Sequence, residues 1–198
     1  SLETVLSDRL ALIGVRYVVA RDAAVPRPPD LPRVLGWRGY SIYEIPDPNT
    51  AGYDPTAVVF ADSLAGELRA MRDETFDPRR VAVVAEPERG WLRDGQGLAR
   101  LRESRIDIAG QSLWFRGRSG SGRSLAVLPF RFSHCWRPEW SGTAGRIIRV
   151  DVALIGVVFE DTADVRLTWS AGYGPGTRCL ERDVRLVPAA IAAAQEIR

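Results

Sequence analysis

The sequence predicts a β-rich α+β chain, with a small mixed unit over residues 1–90 followed by a mainly antiparallel, jelly-roll-like β-sandwich over residues 98–188. Three observations lead there. Helical and extended patterns alternate before residue 90. Pro, Gly and charged residues cluster from Glu86 to Gly97, which marks the boundary. Beyond it apolar residues recur with a period close to two, as on half-buried strands parted by glycine-rich turns.

The elements follow in order. Leu2, Val5, Leu6, Leu10 and Ile13 share the i, i+3, i+4 spacing of an amphipathic helix, and Gly14 should stop it. Val15 to Val19 then reads as a strand, and Pro26 to Pro32 as a loop. Gly39 to Ile45 and Thr56 to Phe60 are short strands, separated by the turn formers Pro46, Pro48 and Gly52. Asp62-Ser63 should cap a helix whose apolar face is Leu64, Leu68 and Met71. Val81 to Ala85 is another strand. In the second part Ile106 and Ile108 flank Asp107, and Val165, Leu167 and Trp169 alternate with polar residues, which places Trp169 in the core. Leu125 to Phe132 and Arg146 to Phe159 supply further strands, and Ala189 to Ala194 a short helix.

Composition narrows the function. All 27 basic residues are arginine, against 25 acidic ones, for a net charge of +2. That balance gives no electrostatic case for nucleic acid as a partner, since such binders concentrate positive charge. No stretch approaches the roughly 20 apolar residues that span a bilayer. The start at Ser1-Leu2-Glu3, without Met, is expected of a piece of a longer protein whose membrane anchors, if any, lie elsewhere.

The motifs that suggest chemistry are weak. Gly117 to Ser124 has the spacing of a phosphate-binding loop, with Arg123 at the lysine position, but a strand pattern follows where a helix should begin. A hairpin turn is the expected structure. Asp47 to Gly52 begins like a calcium loop, yet Ala51 and Val58 stand where ligands are needed. His134 is the only histidine and has no marked nucleophile, so a structural or surface role is expected and its replacement should change little. Glu160, Asp161 and Asp164 read as acids of an exposed turn between two strands. No catalytic residue, metal site or cofactor is predicted.

Two features point further. Trp136 and Trp140 bracket Arg137-Pro138-Glu139, and Tyr173 sits in a glycine-rich loop, with Arg131 and Arg137 as hydrogen-bond donors. Such aromatics suit the face of a sugar; the alternative is packing over the end of the sandwich. Cys135 and Cys179 are the only cysteines. They either form a disulfide, worth about 4 kcal/mol on chain entropy, or stay as two buried thiols.

Four phrases occur in order: Leu12 to Val19, Tyr43 to Pro48, Phe76 to Val84, and Leu128 to Trp136. Together they resemble the extracytoplasmic C-terminal region of bacterial YfhO-like multi-spanning membrane proteins, relatives of the GT-C glycosyltransferases. The resemblance implies a periplasmic accessory domain, joined to the membrane through the rest of its parent and acting near glycan or lipid-linked sugar. It transfers no catalytic residue, because the early external loop that carries the GT-C carboxylate has no counterpart here. Many relatives place an Asp-Gly hairpin after the tryptophan, where this chain has Pro138 to Gly142. An extracytoplasmic location favours the disulfide. The competing expectation is a structural or protein-interaction module without a ligand.

Overall fold

The computed structural model describes residues 2–21, 31–92, 97–170 and 178–196. The proline-rich loop expected over 26–32 lies mostly outside them, as does Tyr173. The chain divides into two compact units, Ser1–Thr50 and Ala51–Arg198.

The first unit holds α1 (Leu2–Leu12), β1 (Tyr17–Arg21), β2 (Arg33–Trp37) and β3 (Tyr40–Glu44), its strands forming an antiparallel sheet in the order β1-β3-β2. Gly14 ends α1 as expected. At φ +78° it lets its own N–H reach Ala11 O and the Val15 N–H reach Leu10 O, so two carbonyls of the last turn gain partners. Asn49 adds more, donating its backbone N–H to Ala11 O and its side chain to Leu12 O. Ala11 and Leu12 are buried, whereas Ile13, expected on the apolar face, is 50% exposed. It lies past the last helical residue, where the helical period no longer sets direction.

The second unit is one seven-stranded sheet. Its strands are β4 (Ala57–Ala61), β5 (Val81–Ala85), β6 (Leu101–Ala109), β7 (Ser112–Arg131), β8 (Trp136–Trp140), β9 (Arg146–Val150) and β10 (Leu154–Trp169). The order is β4-β5-β9-β10-β7-β6, with β8 also paired to β10. Helices α2 (Leu64–Arg72), the short α3 (Arg89–Leu92) and α4 (Arg178–Glu196) complete it.

The boundary expected near residues 86–97 therefore falls elsewhere. β4 and β5, placed by the sequence in a first domain, run parallel to each other and join the large sheet where Val84 pairs with Val150. Their near-continuous apolar runs suit parallel strands. Nothing in those runs names a partner so distant in sequence.

The expected sandwich is realised by one sheet folding over. β7 and β10 pair antiparallel along their length, with a register break at Glu160/Thr162 where Asp161 adopts φ +59°. Phe115 pairs with Val165, so along an extended strand it would stand roughly 20 Å from Phe159. The two rings instead meet edge to face at 6.1 Å between centroids. Residues from both sides of the break, among them Leu113, Phe115, Leu128, Ile155, Phe159, Val165 and Leu167, form one core. Gly117 permits this closure, because a Cβ there would lie 2.7 Å from the Phe115 ring.

Two sequence expectations are corrected by that bend. Gly117 to Ser124 is no hairpin but the irregular middle of β7. Glu160, Asp161 and Asp164 lie within β10, not in a turn between strands, and Glu160 pairs with Arg123 at 2.7 Å. Glycine-rich and acidic stretches look like turns in sequence, but an opposing strand can hold them in a bulge. The C-terminal helix is also longer than Ala189 to Ala194, reaching back to Arg178.

Ser63 caps α2 as expected, accepting the Gly66 N–H at 3.1 Å. The face turned inward is different. Leu64, Leu68 and Met71 are half-buried, while Ala65 and Glu67 are buried. Glu67, 2% exposed, receives both terminal nitrogens of Arg149 at 2.7 Å each. Beside this pair, buried Asp151 accepts the Val83 N–H through Oδ1, and its Oδ2 has no hydrogen-bond partner. Burial raises the Asp151 pKa to about 7; the Val83 N–H pulls the other way, and the nearby Glu67 charge adds a smaller push upward.

Between the ordinary value of 3.8 and about 7, the folded protein holds a proton that the unfolded chain has released, so stability falls as pH rises through this window. The full difference is on the order of 4 kcal/mol. Asp151→Asn is expected to raise stability at pH 8 by about 2 kcal/mol and to flatten the slope between pH 5 and 8. Urea unfolding at several pH values checks this; an unchanged slope in the variant would refute it.

Candidate functional site

The end of β7, the bend after it and the start of α4 surround a groove of about 360 Å³ in the second unit. Phe130 and Arg131 come from β7, Trp136 from β8, Trp169 from β10, and Leu180, Asp183 and Val184 from α4. Trp136 and Trp169 are directly opposed in the β8–β10 ladder, so their indoles share one face of the sheet. Trp136 donates its Nε1–H to Arg131 O at 3.0 Å, which fixes its ring.

A clamp holds α4 in place. Cys135 and Cys179 form a disulfide between the bend and the first turn of α4. One turn further along the helix, Asp183 accepts the Ser133 hydroxyl at 2.5 Å and the His134 N–H at 3.0 Å, and its Oδ1 lies 2.7 Å from His134 Nδ1. Residues four apart share a helix face, so Cys179 and Asp183 meet the same bend, and Leu180 and Val184 both reach the groove. Burial opposes the Asp183 charge, but the hydrogen bonds from His134 and Ser133 outweigh it and hold the carboxyl below its usual range. The clamp is therefore present at neutral pH and lost as acid protonates Asp183.

This arrangement is structural chemistry. An activated serine would bond its hydroxyl to the imidazole, with the carboxylate on the far ring nitrogen. Here the Ser133 hydroxyl goes to the carboxylate, and its oxygen accepts the Cys135 N–H at 3.0 Å. Of the structural and surface roles expected of His134, the structure shows the first: its backbone N–H and ring nitrogen meet Asp183 of α4. Among the described residues, no group of three or more His, Cys, Asp or Glu could hold a metal ion.

The sequence-predicted ligand residues separate. Trp136 and Arg131 line the groove. Trp140 lies four residues along β8, where its ring occupies the space a Cβ on Gly145 would need and packs against the core. Arg137 is exposed and follows Trp136 on a strand, which turns it to the opposite face. Trp169, expected in the core, is 40% exposed and forms part of the groove wall. The β10 core pattern ends at Leu167, so alternation carried one step too far. Asp183 and Val184 gave no signal in sequence, because only the helix docking brings them to the tryptophans.

The fold and groove define a β-rich α+β domain with an aromatic-walled recess clamped by a disulfide. Comparison with protein-family models, curated proteins and solved structures found no match to the chain. No helix among the described residues is long and apolar enough to cross a membrane.

Proposed function

We propose that this chain is an extracytoplasmic accessory domain of a membrane glycosyltransferase-like protein, and that it holds glycan, free or lipid-linked, in the groove at Trp136 and Trp169. The observation that carries the reading is the pair of opposed indoles in an open recess, with Arg131 and Ser133 at its wall. Indole faces match the apolar faces of pyranose rings, and polar neighbours take up hydroxyl groups. The disulfide supports an oxidising compartment. The domain contributes binding and positioning, and bond-making chemistry belongs to the rest of its parent.

Calorimetric titration with cell-envelope oligosaccharides tests this. Trp169→Ala is expected to weaken binding about tenfold while leaving the melting temperature nearly unchanged, since the ring is partly exposed. Absence of heat with every such glycan would overturn it. The packing of Trp136 against the core and its bond to Arg131 O favour a second reading, an interaction module whose aromatics are structural. That reading gains if the tryptophan variants lose stability and no sugar binds.

A further inference from the structure

The three-stranded sheet of the first unit has a bare apolar face. Tyr17 opposes Glu44 and Val19 opposes Ile42 on one side of β3, while Leu35 opposes Ile42 and Trp37 opposes Tyr40 on the other. Opposed residues share a face, so Tyr17, Val19, Leu35, Trp37, Tyr40 and Ile42 stand together. Trp37 is 65% exposed and Val19 62%, whereas Ser41 and Tyr43 on the opposite face are buried. A contiguous exposed apolar surface of this kind marks an interaction site.

Its charge selects the partner. Arg16, Arg21, Arg33 and Arg38 lie on or beside the three strands, all exposed, and within the strands themselves Glu44 is the one carboxylate. Arg16 already engages that carboxylate at 3.3 Å. Arg38 forms the β2–β3 turn at φ +47°, a position that Asn or Gly fills with less strain, and its guanidinium lies 4.7 Å over the Trp37 ring. A hairpin tip of Trp, Arg and Tyr thus adjoins an aliphatic centre.

We propose that this face docks on an anionic lipid bilayer, with Trp37, Val19 and Leu35 entering the headgroup boundary and the arginines meeting lipid phosphates. Indole and phenol side chains favour that depth, and basic residues add attraction to acidic headgroups. A second copy would set arginines against arginines, which like charge disfavours. A nucleic acid could stack on the rings but would gain nothing from Val19, Leu35 and Ile42. The inference is independent of glycan binding, which uses residues of the other unit.

Flotation of the full 198-residue chain with vesicles tests it. With roughly a third of the lipid as phosphatidylglycerol, partitioning should exceed that on pure phosphatidylcholine by about tenfold and fall as salt rises. Arg38→Gln should reduce it about fivefold, and Trp37→Ser about tenfold, with circular dichroism unchanged because both side chains are exposed. Equal partitioning on neutral and anionic vesicles, no flotation, or variants that bind like the parent would overturn the proposal. Self-association that Trp37→Ser abolishes, in the absence of vesicle binding, would reassign the face to a second copy.

Discussion

Arg149→Ala is expected to destabilise the protein by about 3–5 kcal/mol at pH 7, the largest effect of any single side chain here. Its guanidinium makes a two-pronged bond to Glu67, which is almost wholly buried, and also donates to Val152 O at 2.6 Å. Truncation removes the guanidinium to which that buried carboxylate is bonded. It also leaves Glu67 beside Asp151, so two buried acids then share a site with no cation. The Val152 carbonyl loses a donor at a residue held at φ +70°, a conformation that a β-branched side chain adopts only when its surroundings enforce it. Urea unfolding at pH 7 and pH 5 measures the effect. Glu67→Leu combined with Arg149→Met should recover most of the loss, because the desolvation of both charges disappears with them. A single variant within about 1 kcal/mol of the parent would show that water reaches Glu67.

Opening the disulfide has a comparable effect and a different signature. Cys135→Ser with Cys179→Ser is expected to cost about 4 kcal/mol through the freedom returned to the unfolded chain. Its structural consequence is local. The bond and the Asp183 network tie the same turns of α4 to the same bend, so without the disulfide the hydrogen bonds alone must hold the helix over the groove. Hydrogen exchange should therefore rise first in α4, while β7 and β10 stay protected until global unfolding. If the groove binds glycan, affinity should drop with it, since Leu180, Asp183 and Val184 form one wall. Uniform exchange across the second unit would place the disulfide's role in the unfolded state alone.

These expectations rest on features that differ in how far the sequence reveals them. Gly14 and Ser63 are legible because a helix end is a local problem: orphan carbonyls and N–H groups must find partners within a few residues. Arg149 and Glu67 are not, because their pairing spans 82 residues and each looks like an ordinary exposed charge in its own segment. Trp136 and Arg131 are legible as an aromatic with a hydrogen-bond donor close by in sequence. Trp169 was hidden by an alternation that continues in sequence past the point where the core ends. Asp183 and Val184 join the groove only through the docking of α4.

The sequence by itself determined the strand-rich character, the helix caps, the pairs of residues able to share a strand face and the cysteines available to bond. Each follows from periodicity or from chemistry within one turn or one strand. Tertiary structure alone decided which strands share a sheet. It moved β4 and β5 across the expected boundary, folded the β7–β10 ladder at a bulge, and turned a helical glutamate inward. The physical reason is common to all three. Backbone ladders and buried charges are satisfied by whatever partner the folded chain brings near, and local pattern holds no record of a partner that distant.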